Sequence, residues 1–264
     1  MNKIFITGDI HGDPTRFASR SFFEQKELDK SDFVIIAGDF GLIWNKMKSA
    51  YERNWLDWLD KKPFTTLFVD GNHENFDRLD YLTVYDWHGG KVHKISNSVM
   101  HLMRGEVYDI AGQKIFAFGG APSHDINGLA TPEELKENYA AGILNRSDKD
   151  FKFKVKKLNK ERLCYRVNHK NWWKQEMPSE SEMAYAWDNL KKNNFKVDYI
   201  ITHDAPSSDV VLLGYTGVAN KLTMFLENVR AKCEYKHWFF GHYHENRRIN
   251  DKETCIYEQI IRIM

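Results

Sequence analysis

The sequence predicts an α/β fold on two observations. Short apolar, β-rich runs each end in a polar Gly/Asp/His cluster, and helix-like stretches follow those clusters. This β-loop-α pattern recurs through the first eighty residues. At 264 residues and 42% hydrophobic content the chain can bury one large core, so a single domain over 1–264 is expected. The irregular stretch at about 121–174, rich in Lys, Asn and aromatics, is expected to be a lid or insertion.

Ile4-Phe5-Ile6 leads to Gly8-Asp9-Ile10-His11-Gly12, after which Asp13 as N-cap and Pro14 at the first position predict a helix through Phe17, Phe22 and Phe23. Phe33-Val34-Ile35-Ile36-Ala37 leads to Gly38-Asp39-Phe40-Gly41, followed by Met47, Tyr51, Trp55 and Trp58 at helical spacing. Thr65-Thr66-Leu67-Phe68-Val69 leads to Asp70-Gly71-Asn72-His73-Glu74. Over 84–118 the period changes to short strands with Gly-containing turns, which predicts a second, mostly antiparallel sheet. Ser179 and Glu182 form a capping box ahead of a helix over 180–192. A strand over 197–201 reaches Thr202-His203-Asp204, and a helix carries Leu222, Phe225, Leu226 and Val229. The strand over 236–240 enters Gly241-His242-Tyr243-His244, and strands near 246–249 and 254–261 close the chain.

Near-equal numbers of bases and acids, 38 and 37, leave a net charge of +1, so no whole-protein field directs the chain to nucleic acid or an acidic membrane. Cys164, Cys233 and Cys255 are too few and too far apart for a disulfide framework or a cysteine zinc site. Residues 1–6 run straight into polar Thr7-Gly8-Asp9, without the apolar core of a signal peptide. A cytoplasmic protein without a membrane span is the expectation.

Five predicted strand ends therefore deliver Asp9 and His11, Asp39, Asn72 and His73, His203, and His242 and His244. Ligands bind at the carboxyl ends of strands in open α/β sheets. Asp and Asn oxygens mixed with imidazole nitrogens suit manganese, iron or zinc and suit calcium poorly. In Asp9-Ile10-His11 and His242-Tyr243-His244 the outer residues are two apart, so an extended backbone would turn both side chains to one side.

The ordered pattern D-x-H, G-D, G-N-H-D/E, a lone H and G-H-x-H, running from Asp9 to His244, resembles the calcineurin-like metallophosphoesterase superfamily. The resemblance implies a four-layer α/β sandwich of two mixed β-sheets flanked by helices. It implies two divalent ions, manganese favoured with iron or zinc as alternatives. Asp9, His11 and His244 would bind one ion, Asn72, His203 and His242 the other, and Asp39 would bridge them. His73 would stay off the metals, beside the leaving group. The implied activity is hydrolysis of a phosphomonoester or phosphodiester by activated water, with a nucleotide or nucleic acid mildly favoured as substrate. The alternatives are a non-catalytic interaction scaffold, against which the complete ligand set argues, and a protein phosphatase. Protein phosphatases of this superfamily continue the second motif as G-D-x-V-D-R-G, whereas Gly38-Asp39 here continues Phe40-Gly41-Leu42.

The remaining histidines are assigned structural roles, although His124 follows a predicted strand and could reach the site's rim. Phe151-Lys152-Phe153-Lys154-Val155-Lys156 alternates as a strand with one lysine face, flanked by Arg146, Lys149, Lys157, Lys160, Arg162 and Arg166. A strand packed on the body with solvated lysines is the favoured reading. A phosphate-backbone or nucleotide contact, with Trp172 and Trp173 as base-stacking groups, is the other.

Overall fold

The computed structural model describes residues 2–123, 142–215 and 219–264. Two mixed sheets face each other. In the first, β1 (Ile4–Thr7), β2 (Phe33–Ile36), β3 (Thr65–Phe68) and β6 (Val99–Leu102) run parallel. The hairpin of β4 (Val84–Trp87) and β5 (Gly90–Lys94) extends one edge, and the final strand β15 (Ile261–Arg262) closes the other. The second sheet begins with the hairpin β7 (Glu106–Ile110) and β8 (Gln113–Phe118). It continues in parallel through β11 (Tyr199–Thr202), β12 (His237–Phe240) and β14 (Glu253–Cys255), with β13 (Arg247–Arg248) at the edge.

The strands read as unbroken apolar runs because both of their faces are covered. Ile4, Ile6, Phe33, Ile35 and Leu67 of the first sheet meet Ile115, Ala117, Ile201 and Phe239 of the second in a shared core. The alternate residues Phe5, Val34, Ile36 and Phe68 point outward against α1 (Ala50–Asp60), the short α2 (Phe76–Leu79) and the segment around Phe17 and Phe22. On the far side, Phe116, Phe118, Ile200, Trp238 and Phe240 pack under α4 (Glu180–Lys192), α5 (Ser207–Leu212) and α6 (Lys221–Lys232). The result is the expected four layers. No helix among the described residues is long and apolar enough to cross a membrane.

Several local expectations are corrected. After Asp13 the chain forms two 3-10 turns, Pro14–Phe17 and Phe23–Glu27, in place of one helix. Phe17 and Phe22 are both buried, and five residues along an α-helix turns a side chain by about 140°, so one straight helix could not seat both. In α1 the buried residues are Glu52, Leu56 and Leu59, while Met47 precedes the helix and is exposed. The strands over 84–118 do not form one sheet. The chain changes sheets at Met103-Arg104-Gly105, where Gly105 has φ +80°, and the second sheet is largely parallel.

The expected lysine-faced strand is a helix, α3 (Phe151–Glu161), lying between the two strands of a small separate sheet, β9 (Ile143–Leu144) and β10 (Arg166–Val167). Phe151, Val155 and Leu158 recur at i, i+4 and i+7 and pack with Leu144 and Val167. The short alternating run fitted both periods, and the longer spacing decides for the helix. Trp172 and Trp173 are buried and unavailable for stacking on bases. Their indole nitrogens donate to Glu176 and Asp77 at 3.0 and 2.8 Å. His124 lies outside the described residues.

Candidate metal centre

Parallel register places Thr7, Ile36 and Phe68 at one end of the first sheet, with Thr202 and Phe240 paired at the corresponding end of the second. Each candidate side chain follows one of these strand ends within five residues. The loops meet across the gap between the sheets.

Three donor groups form there, Asp9/His11/His244, His11/Asp39/His73 and Asp9/Asp39/His203, each with its ligand atoms within 4.8 Å of one another. In the first, His11 Nε2 lies 2.9 Å from His244 Nε2, and Asp9 Oδ2 lies 3.3 Å from His244 Nε2 and 3.8 Å from His11 Nε2. Donors held about 2.0–2.2 Å from one tetrahedral ion stand roughly 3.3–3.6 Å apart, so the triangle has the size of a metal site. Asp9 Oδ2 is also buried without a hydrogen-bond partner among the described residues. Leaving such an oxygen unmatched costs about 1–3 kcal/mol, and more when it is charged. A cation is what this donor set fits.

Asp39 Oδ1 lies 3.3 Å from His203 Nε2, and Asp39 Oδ2 lies 3.7 Å from His11 Nδ1, so its two oxygens face different imidazoles. His203 Nε2 is also 3.3 Å from Asn72 Oδ1, while its Nδ1 is 2.8 Å from the Ala37 carbonyl, which orients the ring. The ring of His242 stands 5.0 Å from that of His203, centroid to centroid, and its backbone N–H donates to Asp9 Oδ1 at 3.1 Å. All eight residues singled out from the sequence therefore converge, with His242 joined through its ring packing and backbone. His73, expected apart from the metals, stands in a donor group with His11 and Asp39.

The backbone achieves this convergence differently from the expectation. His11, Asp39, His242 and His244 all have positive φ, between 45° and 68°. The side chains of D-x-H and H-x-H thus converge through left-handed turns, a conformation that non-glycine residues adopt rarely and that clusters at functional sites. Gly71 is required for close approach, since a Cβ there would sit 2.1 Å from Asp39 Oδ1.

Charge is concentrated in the cluster. Burial pushes the Asp39 carboxyl up, but His203, His73 and His11 outweigh it and hold the group well below the usual carboxylate range. Burial pushes His203 down, and Asp39 and Asp9 more than reverse that. His11 and His73 are both lowered, chiefly by burial.

Supporting residues escaped the sequence reading because their partners are remote in the chain. Arg16 donates to the carbonyls of Gly8, Asp9 and Tyr257 and to the Thr7 hydroxyl, joining the first loop to the C-terminal segment. Tyr257 in turn stacks on His244 with ring centroids 4.5 Å apart. Buried Asp70 accepts from His101 Nε2 at 3.0 Å and from both Nε and Nη2 of Arg104. Glu74 Oε1 accepts from the Phe40 amide at 2.7 Å and so pins the Asp39 turn to the third loop. Glu74 was visible only as the last letter of G-N-H-E.

Residues 2–246 match the family described as calcineurin-like phosphoesterase. The lariat debranching enzyme of Schizosaccharomyces pombe is 28% identical over 125 residues, which is 43% of this chain and 26% of that protein. The match thus spans about a quarter of the relative's length.

Proposed function

The chain belongs to the calcineurin-like phosphoesterase family, and on that premise we propose that it hydrolyses phosphate esters, with phosphodiesters of nucleic acid favoured, at a centre of two divalent ions. Asp9, His11 and His244 would hold one ion and Asn72, His203 and His242 the other, with Asp39 between them. The carrying observation is the Asp9/His11/His244 triangle, whose buried Asp9 Oδ2 has no hydrogen-bond partner among the described residues.

Manganese is the favoured metal, with iron or zinc as alternatives, and ions of this kind supply Lewis acidity toward phosphoryl oxygens and toward water. The chain's own residues provide the setting. Two buried carboxylates, Asp9 and Asp39, offset the cationic charge, and the Ala37 carbonyl fixes the His203 ring. His73 would lie beside the leaving group, either donating a proton or stabilising the oxygen that becomes negative. The similarity to a lariat debranching enzyme supports a nucleic-acid substrate. The complete ligand set argues against a scaffold without activity, and Phe40-Gly41 in the second motif argues against a protein phosphatase.

Hydrolysis of bis(p-nitrophenyl) phosphate and p-nitrophenyl phosphate, measured before chelation, after it and on return of manganese, tests the assignment. Turnover that disappears with chelator and returns with manganese is expected. Absence of turnover on both esters with metal bound would overturn it.

A further inference from the structure

Trp44, whose indole lies against His73, also lines a groove of about 1000 Å³. The facing wall comes from the β9–β10 sheet and the turn that follows it, with Arg146, Arg166, Asn168 and Lys170.

The lining is cationic and polar. Lys46, Arg146 and Lys170 are exposed and make no ion pair among the described residues. Asp77, the one acidic lining residue among those described, is engaged by His169 Nδ1 and Trp173 Nε1, each at 2.8 Å. Asn168 donates to Asn145 Oδ1 at 3.1 Å, and Asn171 Oδ1 accepts from the Val167 amide at 2.6 Å, so the wall is held in place by its own hydrogen bonds. At the rim Tyr81 is 91% exposed, an aromatic face that packs on no core cluster among the described residues.

The two proposed ions would meet a single phosphate, so three further cations in one groove, without an ion pair among the described residues, match additional phosphates. An open aromatic face suits an unstacked base, which a single strand presents and a duplex does not. We propose that this groove holds the single nucleic-acid strand that continues from the leaving-group side of the scissile phosphodiester. Lys46, Arg146 and Lys170 contact its phosphates, and Tyr81 stacks on a base. The inference rests on the proposed phosphoesterase activity only for the position of the scissile bond, and strand binding is measurable without turnover.

The test titrates the full, metal-loaded chain against fluorescein-labelled, phosphorothioate-linked single strands of RNA and DNA of about 10 nucleotides, at roughly 50–200 mM salt. The triple variant Lys46→Ala/Arg146→Ala/Lys170→Ala should bind at least about tenfold more weakly at low salt. Its slope of log affinity against log salt should be shallower by about 2, as three single-strand phosphate contacts predict. Tyr81→Ala should weaken binding by about fivefold or more and leave the slope in place. Wild-type affinity and slope in the triple variant, wild-type affinity in Tyr81→Ala, or equal affinity for a duplex would each overturn the proposal. Failure to hydrolyse the small esters alongside intact strand binding would count against the enzymatic assignment and leave the groove standing.

Discussion

The indole of Trp44 stacks on the imidazole of His73, with ring centroids 5.5 Å apart and planes 22° from parallel. His73 is thereby held between an aromatic wall and the edge of His11, whose ring stands 4.8 Å away at 87°. Removing the wall frees the ring without touching any candidate ligand. Trp44→Ala should lower kcat by about tenfold, a fraction of the roughly 10²- to 10⁴-fold that positioned acid–base groups contribute, and Trp44→Phe should restore most of it. Metal content measured beside kcat checks the claim, since loss of metal in Trp44→Ala would show that the indole supports the ligands and not His73 alone.

Asp39 is the group on which the two proposed ion sites depend together. Asp39→Asn keeps an oxygen to accept from the His73 amide, now at 2.8 Å, but removes the negative charge facing His203 and His11. Turnover should fall by at least about a thousandfold and at least one ion should be retained less well, because two nearby cations would then be poorly offset. Metal analysis after gel filtration together with circular dichroism reads this out. Full activity with full occupancy would contradict the bridging assignment.

Glu74 is buried, and its carboxyl is raised well above the usual range by burial and by Asp39 and Asp70. A carboxyl held that far up its range is matched by a glutamine in shape and, in its neutral form, in charge. Glu74→Gln should therefore change stability by less than about 1 kcal/mol, whereas Glu74→Ala, which leaves the Phe40 amide unsatisfied, should cost about 1–3 kcal/mol. Urea denaturation of the two variants separates the cases, and equal losses would show that the group is ionised in the fold.

Asp209, on α5, faces Glu253 of β14 and Glu227 and Arg230 of α6. Burial first, and then repulsion from Glu253, pushes its carboxyl up from 3.8 to about 7. The folded chain thus keeps a proton that the unfolded chain releases, so the stability this group contributes is fully present below pH 3.8 and is lost as pH rises through about 7. Asp209→Asn removes that titration. The Tm of the variant minus that of the wild type should rise between pH 5 and pH 8, and a flat difference would refute the shift.

Residue order alone determined the strands that build the centre and the eight side chains at their ends. Runs such as Phe33-Val34-Ile35-Ile36 are apolar on both faces, and the polar clusters interrupt them where the chain must leave the core. The capping box of Ser179 and Glu182 was equally legible and is formed, because its hydrogen bonds close within three residues. What tertiary structure decided involves partners that local periodicity does not carry. Arg16 and Tyr257 meet across 241 positions, and Trp44 reaches His73 only once the second and third loops are side by side. The strands over 84–118 divide between two sheets at Gly105, and residues 151–161 are helical because Leu158 finds Leu144 and Val167. The left-handed turns at His11, His242 and His244 also belong to the assembled site, since positive φ in these residues persists only where surrounding contacts hold it.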